Sequence, residues 1–287
     1  MPLRPLGTES LELRIGRARG EIEVLQVASM SAIPWLFHGF STRPGGVSTA
    51  YGRQRRGELN LGFTASDDSA TVAANRELFL GAVTGDPFFP LITTRQIHSA
   101  TVRRVSLADA APDSNLAEAD GLITDEPGIL LGIQTADCIP VLLVDQRTRA
   151  VAAFHAGWRG TLRGIVEEGA HEMSKQFGTR AEDLVAAIGP GIGPCCYLVG
   201  EEVRSVFASR FLYAGELFRG VDAEDGQKLH LDLIEANRRQ LLDAGLMASS
   251  ITIVGECTSC RTDRYFSYRA EQGSTGRMLS VIGVRPG

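Results

Sequence analysis

The longest apolar stretch of the chain, residues 128–144, is interrupted by a glutamine, an aspartate and a proline. These interruptions make it unsuitable as a membrane-spanning helix, which needs about 20 consecutive, predominantly apolar residues. Short apolar runs on either side of a polar break are typical of strands that are buried on both faces. The stretch therefore predicts two interior strands, 128–133 and 139–144, joined by a functional turn that contains Asp137 and Cys138.

Other segments of the chain complete the predicted secondary structure. Four further apolar, β-branched runs predict strands at 151–154, 184–188, 251–254 and 278–284. Apolar residues at helical spacing predict helices at 71–83, 161–177 and 232–244. Asp67 or Asp68 is suited to cap the first helix, and Gly245 to end the third. Because no linker or repeat forces a boundary, we expect a single domain over residues 1–287, an α/β (α+β) fold with mixed β-sheets flanked by helices.

Composition excludes several classes of protein. A net charge of −5 argues against non-specific nucleic-acid binding, which requires a basic face. Residues 1–20 mix charged residues with isolated leucines and lack the apolar core of a signal peptide. Five cysteines, an odd number, predict a reducing compartment and no disulfide framework. We therefore expect a cytoplasmic protein that binds neither nucleic acid nor a membrane.

Two histidines and one cysteine, His98, Cys138 and His155, each stand where an apolar run breaks into turn residues. Two imidazoles and a thiolate suit zinc and leave a fourth coordination position open for water or substrate. The three residues therefore predict a catalytic metal centre. Taken singly, His155 could equally be a core histidine and Cys138 an inert buried thiol.

Two charged residues adjoin these candidate ligands. Asp137, next to Cys138, can orient a ligating histidine or act as a general base. Arg159 lies beside the predicted start of the helix at Thr161, where free backbone N–H groups and the helix dipole favour an anion. Residues 155–160 (His-Ala-Gly-Trp-Arg-Gly) thus predict a metal ligand next to an anion site.

The remaining four cysteines form two pairs, Cys195-Cys196 and Cys257 with Cys260. Together they could make a four-thiolate zinc site. Each pair alone is a weak signal, and the second lacks the helix that a thioredoxin-like motif requires. We interpret them as small, partly buried residues near the active site.

The stretches that carry chemistry run in order from about residue 30 to the C-terminus. They are 38–48, 59–62, 96–98, 119–121, 135–138, 155–160, 188–190, 195–197 and 266–269. This set resembles the YfiH-like family, once called multicopper polyphenol oxidases or laccase-domain proteins and now described as purine nucleoside phosphorylases. Only the first thirty residues are poorly matched. The chain departs from the family at Leu198, where a glutamate is frequent, and at Ala270, where a second arginine is frequent.

The resemblance implies a single domain with mixed sheets and a zinc ion held by His98, Cys138 and His155. It implies phosphorolysis of adenosine, inosine and related nucleosides to free base and pentose 1-phosphate, with adenosine deamination as a second activity. The expected partners are purine nucleosides and phosphate, and we expect a monomer.

We assign roles to individual residues as a hypothesis. The catalytic residues are Cys138, His155, Asp137 and Arg159, with Arg43 helping Arg159 to hold phosphate. Gln96, Asn60 and the aromatic residues Tyr265 and Tyr268 are expected to contact purine or ribose.

Three alternatives remain open. A copper-dependent polyphenol oxidase would also use two histidines and a cysteine. Its oxygen-reducing cluster needs several further histidines, however, and the chain has only five histidines in all. The same three residues could still bind copper adventitiously. A metal-free hydrolase would use Cys138 as nucleophile and His155 as base. A nucleotide-binding module would hold the ligand without turnover.

Overall fold

The structure is a computed structural model, and it describes residues 22–52, 57–110, 117–221 and 228–287. Of the poorly matched first thirty residues, residues 1–21 lie outside these ranges. The strands are β1 (Val24–Leu25), β2 (Leu36–Ser41), β3 (Pro44–Ser48), β4 (Leu91–Ile92), β5 (Val102–Arg104), β6 (Gly121–Thr124), β7 (Leu130–Thr135), β8 (Ile139–Asp145), β9 (Val151–Ala156), β10 (Leu184–Ile188), β11 (Leu198–Val199), β12 (Phe218–Val221), β13 (Lys228–Leu231), β14 (Ile251–Ile253) and β15 (Met278–Val284). The α-helices are α1 (Ala28–Ser31), α2 (Ser69–Thr84), α3 (Trp158–Arg163), α4 (Ile165–Phe177), α5 (Glu201–Arg210), α6 (Ala214–Leu217) and α7 (Leu233–Asp243).

Fourteen of these strands, all except β3, form three sheets. The first sheet has the order β1-β2-β15-β7-β4, the second β14-β10-β8-β9-β6-β5, and a small third sheet β11-β13-β12. The first two are mixed, since β4 runs parallel to β7, β5 to β6 and β14 to β10 while their other pairings are antiparallel. This arrangement confirms the predicted α/β fold with mixed sheets flanked by helices.

The first and second sheets pack face to face, and their outer faces are covered by helices. Successive side chains of a strand point to opposite faces. In β8, Leu142 and Val144 accordingly join the cluster between the two sheets, whereas Val141 and Leu143 join the cluster under α4 and α7. A third cluster, which includes Phe79 of α2, covers the other side of the first sheet. Both large sheets are thus buried on both faces, which explains the continuous apolar runs in the sequence.

Two of the predicted helices are confirmed within a few residues, and one prediction was wrong. Asp68 caps α2 by accepting a hydrogen bond from the Thr71 N–H at 3.0 Å, and Asp232 caps α7. The helix predicted at 161–177 is two helices, because Gly164 adopts a left-handed conformation (φ 79°) that ends α3 before α4 begins. The helix also starts earlier than predicted, at Trp158.

No helix among the described residues combines the length and apolar character needed to cross a membrane.

Candidate active site

The three predicted metal ligands meet where the chain passes between the two large sheets. Cys138 lies on the connection from β7 in the first sheet to β8 in the second. His98 lies on the connection from β4 to β5, which also leads from the first sheet to the second. His155 is near the end of β9, which pairs with β8 in the second sheet. The topology therefore brings three residues from distant parts of the chain to one end of the sheet sandwich.

The donor atoms of these three residues are close enough to share one ion. One nitrogen or sulfur from each of His98, Cys138 and His155 lies within 4.8 Å of the others. Nε2 of His98 is 3.9 Å from Sγ of Cys138, and the two imidazole rings are 4.8 Å apart at an angle of 75°. Bond lengths to zinc of about 2.3 Å from sulfur and about 2.0 Å from nitrogen place two ligands of one tetrahedral ion about 3.6 Å apart. The donor set fits a tetrahedral metal ion with one open position.

Asp120, immediately before β6, organises both histidines. Its Oδ1 accepts a hydrogen bond from Nδ1 of His155 at 2.8 Å and one from the backbone N–H of His98 at 3.0 Å. Its Oδ2 accepts from the backbone N–H of Ser99 at 2.6 Å and from the Ser99 hydroxyl at 2.7 Å. Because Nδ1 of His155 is engaged by Asp120, Nε2 is the ring nitrogen left to face the site.

The ionisable groups of the site shift one another's pKa values. Burial raises the pKa of the Asp120 carboxyl, but the hydrogen bonds from His155 and Ser99 outweigh it and lower the pKa to about 2. Burial also raises the pKa of the Cys138 thiol, but the adjacent His155 and His98 lower it to about 6. Burial lowers the pKa of His155, whereas the Cys138 thiolate and Asp120 raise it to about 9. The site therefore favours a thiolate at Cys138 at neutral pH, which is the form that ligates a metal.

A glycine allows the backbone to approach the ligands. Gly157 caps the start of α3, and a Cβ atom at this position would lie 2.9 Å from Sγ of Cys138 and 3.0 Å from Cδ2 of His98. Both distances are at or below the closest approach of real side chains, so a larger residue would displace a ligand. The glycine in the segment that follows His155 is thus part of the geometry of the site.

Asp137 contacts neither histidine, so the orienting role considered for it belongs to Asp120. Its Oδ1 accepts a hydrogen bond from the Thr258 hydroxyl at 2.7 Å, and its Oδ2 accepts from the backbone N–H of Arg269 at 2.6 Å. The backbone of Asp137 has φ 88°, a rare conformation for a residue with a side chain. These bonds hold a strained turn and leave the carboxylate at the wall of a cavity.

That cavity, of about 670 Å³, opens over the three candidate ligands. Its size is within the range of about 300–1,000 Å³ found for small-molecule sites. Three arginines and three aromatic residues contribute to its lining: Arg159, Arg269, Arg277, Trp158, Tyr197 and Tyr268. The cavity could therefore hold a ligand with both a planar ring and a negative charge.

The arginines of the cavity are positioned by aromatic rings and backbone carbonyls. The Arg159 guanidinium lies 4.3 Å from the centre of the Trp158 ring. Arg269 donates to the Leu198 carbonyl at 3.0 Å, and Arg277 donates to the Gly276 carbonyl at 2.9 Å. Within the part of the chain that the structure describes, none of the three forms an ion pair with a carboxylate. Their charge is thus available to an anion.

The structure places two other predicted residues away from the cavity. Arg43 is fully buried and donates to Glu58 at 2.8 Å and to Glu271 at 2.9 Å, so its placement does not fit the expected contact with phosphate. Asn60 is also buried; its Oδ1 accepts from the backbone N–H of Arg277 at 2.9 Å. Asn60 therefore positions a segment of the cavity wall instead of lining the cavity itself.

Other predicted contacts divide between the cavity and the core. Gln96 lines the cavity, and its amide pairs with the backbone of Gln134 through bonds of 2.7 and 2.8 Å. Tyr268 also lines the cavity, whereas Tyr265 is buried and donates its hydroxyl to Glu256 at 2.8 Å. The helix start predicted at Thr161 lies at Trp158 instead, so Thr161 is buried inside α3, whereas Trp158 and Arg159 in its first turn line the cavity.

The fold and the site define an α/β protein with an open two-histidine, one-cysteine donor set in a cationic cavity. Residues 37–285 match the model of the family described as multi-copper polyphenol oxidoreductase laccase, and the chain belongs to this family. The predicted resemblance to YfiH-like proteins is thereby confirmed.

Two curated relatives and one solved structure illustrate this similarity. The purine nucleoside phosphorylase YlmD of Geobacillus stearothermophilus is 37% identical over 263 residues, which cover 88% of this chain and 94% of that protein. The adenosine deaminase RL5, from an unknown prokaryotic organism, is 35% identical over 248 residues, covering 85% and 92% respectively. The crystal structure of the hypothetical protein YfiH of Bacillus licheniformis matches with a TM-score of 0.82 and 31% identity, over 91% of this chain and 96% of that chain.

The family description names copper, but the histidines of this chain are dispersed. His38 is buried, and its Nε2 accepts a hydrogen bond from the backbone N–H of Val27 at 3.0 Å. His171 is exposed on α4 and His230 lies in β13. Among the described residues, the only group that includes histidine and could hold a metal is the set of His98, Cys138 and His155. The several-histidine cluster of a multicopper oxidase is not assembled by the described residues.

Proposed function

We propose that the protein is a zinc-dependent purine nucleoside phosphorylase that acts on adenosine, inosine and related nucleosides, with adenosine deamination as a second activity. The observation that carries this proposal is that the open two-histidine, one-cysteine donor set lines one cavity together with three arginines that have no carboxylate partner among the described residues. The names of the relatives, purine nucleoside phosphorylase and adenosine deaminase, support it independently.

His98, Cys138 and His155 would hold the metal, with His155 oriented by Asp120. A zinc ion in this position supplies Lewis-acid chemistry and leaves one coordination position open. The soft thiolate and the two borderline imidazoles favour zinc over the hard cations magnesium and calcium, which prefer oxygen ligands.

The cavity arginines would bind and orient phosphate. In phosphorolysis, a phosphate oxygen forms a bond to the anomeric carbon while the bond from that carbon to the purine nitrogen breaks. The electron pair of the broken bond leaves with the purine, which then takes up a proton. Arg159, Arg269 and Arg277 would hold the phosphate dianion at the anomeric carbon, because guanidinium groups match phosphate oxygens in charge and geometry.

The aromatic side chains and Asp137 would act on the nucleoside. Tyr197 and Tyr268 offer ring faces on which a purine can stack. Asp137 lines the same cavity, and Thr258 and Arg269 hold its carboxyl group in place. This carboxyl group would pass a proton to the departing base. Gln96 and Gln134 shape the adjacent wall, and Asn60 supports Arg277.

The test is chromatography of the products that zinc-loaded protein forms from adenosine, with and without phosphate. We expect adenine only when phosphate is present and inosine in its absence. His98→Gln should lose both products together with its metal, whereas His171→Gln, a change of the other exposed histidine, should retain both. The absence of either product from metal-loaded protein, or full activity of His98→Gln, would contradict the proposal. Saturable binding of adenosine without any product would favour a binding module.

One observation favours a second candidate function, a metal-free cysteine hydrolase. The Asp120–His155 bond and the adjacent Cys138 thiol reproduce the order of an orienting carboxylate, a base and a nucleophile. Treatment with an acyl-substrate analogue that traps a thiol distinguishes the two functions. If chelator-treated protein still hydrolyses an ester, and the analogue labels its Cys138 covalently, the hydrolase is favoured. If chelation abolishes all turnover, the phosphorylase is favoured.

We also propose that the protein works in the cytoplasm as a monomer. A reducing compartment keeps the five cysteines of the chain free. Cys138 must be in this reduced form to bind a metal as a thiolate. Light scattering of the purified protein tests the oligomeric state.

A further inference from the structure

A second cluster of metal-ligating side chains lies outside the donor set described above. The sulfur atoms of Cys195, Cys196, Cys257 and Cys260 all lie within 4.8 Å of one another. Sγ of Cys260 is 3.4 Å from Sγ of Cys195 and 3.3 Å from Sγ of Cys196. The two cysteine pairs, which the sequence analysis interpreted as small, partly buried residues near the active site, therefore form a single four-sulfur group.

The fold explains why two pairs so distant in sequence meet. Strands β10 and β14 are parallel neighbours, so their carboxyl ends emerge at the same edge of the second sheet. The first cysteine pair lies on the turn after β10, and the second lies on the turn after β14. The backbone N–H of Thr258 donates to the Gly191 carbonyl at 3.0 Å, which continues the pairing of the two segments beyond the strands.

The chemistry of the group matches a closed metal site. A zinc–sulfur bond of about 2.3 Å places the four sulfurs of a tetrahedral site about 3.8 Å apart, which is close to the observed separations. The backbone N–H of Gly193 points at Sγ of Cys257 over 3.2 Å, and such a bond stabilises a ligating thiolate. We propose that Cys195, Cys196, Cys257 and Cys260 form a four-thiolate structural site for zinc, separate from the open site at His98, Cys138 and His155.

A metal at this position would fasten two parts of the cavity wall to each other. The segment of Cys195 and Cys196 continues directly into Tyr197, which lines the cavity. The segment of Cys257 and Cys260 includes Thr258, whose hydroxyl donates to Asp137. Four protein ligands leave no position for substrate, so this site has a structural role, whereas the three-ligand site remains open.

The experiment measures the metal content of zinc-free protein reconstituted with Co²⁺, an optical substitute for zinc. We expect two equivalents in the wild type, one in Cys138→Ser and one in Cys260→Ser. The ion retained by Cys138→Ser should show the intense sulfur-to-cobalt charge-transfer absorption of four thiolates, whereas the ion retained by Cys260→Ser should show the weaker band of a single thiolate. Cys260 is exposed, so its serine variant keeps the packing of the core, and circular dichroism checks this.

One equivalent of cobalt in the wild type, unchanged in Cys260→Ser, would overturn the proposal. So would a pair of disulfides among these four cysteines in protein purified with its metal intact, found by titrating thiols after denaturation. Because both readouts concern metal stoichiometry and sulfur ligation, their outcome is independent of nucleoside turnover.

Discussion

Nδ1 of His155 donates to Oδ1 of Asp120 over 2.8 Å, and this bond fixes which ring nitrogen faces the cavity. The carboxylate is fully buried, so it would act on a metal ion at this site through the histidine and not through contact with a ligand in the cavity. A buried carboxylate in this position increases the basicity of the histidine and holds its ring at the angle that the metal requires.

Replacement of Asp120 by asparagine should weaken zinc binding by about 10- to 100-fold, because the variant loses the charge that orients His155. Competition with a chelator of known affinity measures the change. Asp125→Asn is the matched control, since Asp125 is exposed and pairs only with Arg104 among the described residues. Equal zinc affinities of the two variants would refute the orienting role of Asp120.

Introducing a methyl group at Gly157 should also weaken zinc binding, for a steric reason. In Gly157→Ala the new Cβ would meet Cys138 and His98 at 2.9 and 3.0 Å and would push one ligand out of position. Gly215→Ala introduces the same methyl group where no heavy atom lies within 4 Å. We expect a lower zinc content in the first variant only, measured by atomic absorption after dialysis. Full occupancy in Gly157→Ala would show that the site relaxes around the methyl group.

The same substitution at two arginines should separate stability from substrate binding. Arg43→Met removes the guanidinium that bonds to the buried Glu58 and the half-buried Glu271 and should lower the free energy of unfolding by about 3–5 kcal/mol. Arg159→Met should leave stability nearly unchanged and raise the KM for phosphate by about tenfold, which corresponds to about 1.4 kcal/mol. Urea unfolding and steady-state kinetics measure the two effects. A raised phosphate KM in a well-folded Arg43→Met protein would place Arg43 at the substrate after all.

Acid should destabilise the protein partly through His38. Burial lowers the pKa of His38 to about 4, whereas an unfolded histidine has a pKa of 6.5. The unfolded chain therefore binds the extra proton between these values, and the stability that is fully present above pH 6.5 falls as the pH decreases toward 4. Between pH 7.5 and pH 5 we expect a loss of about 2 kcal/mol from this group.

His38→Gln isolates that contribution, because the glutamine oxygen can still accept the Val27 N–H but does not titrate. Urea unfolding of metal-free wild type and variant at both pH values gives the comparison, with His171→Gln as the control for an exposed histidine. Other titrating groups contribute equally to both proteins. If wild type and His38→Gln lost the same stability on acidification, the buried histidine would not be the cause.

The elements that the sequence predicted correctly are those with strong local patterns. The strand β8 was predicted almost to its ends, because burial on both faces requires an apolar run free of charged residues. The helix α5 (Glu201–Arg210) was missed because it buries only Val203 and Phe207, which is too few to make an apolar stripe. Two-residue strands such as β4 and β11 depend on pairing with distant segments, and no local pattern reveals them.

In the candidate site, too, residues with a distinctive local pattern were predicted, whereas roles that depend on distant contacts were not. The sequence singled out His98, Cys138 and His155, which the structure brings together, because histidine and cysteine beside turn residues are uncommon and chemically distinctive. Asp120 belongs to the stretch 119–121 that the sequence analysis singled out, but it was given no role there, because its role depends on bonds to residues far along the chain. The burial of Arg43 in the core and the position of Arg269 and Arg277 at the cavity have the same origin, since only the folded chain decides which guanidinium meets a carboxylate and which meets solvent.

The two connections between the sheets couple the candidate metal site to the packing of the sheets. His98 and Cys138 each lie on a segment that leads from one sheet to the other, so the positions of their donor atoms relative to His155 depend on how the two sheets pack. An ion held by these three residues would therefore bind the packed sandwich more tightly than the unfolded chain. Such an ion would stabilise the folded protein by an amount that increases with the free metal concentration, so the protein would resist unfolding more strongly where the metal is abundant.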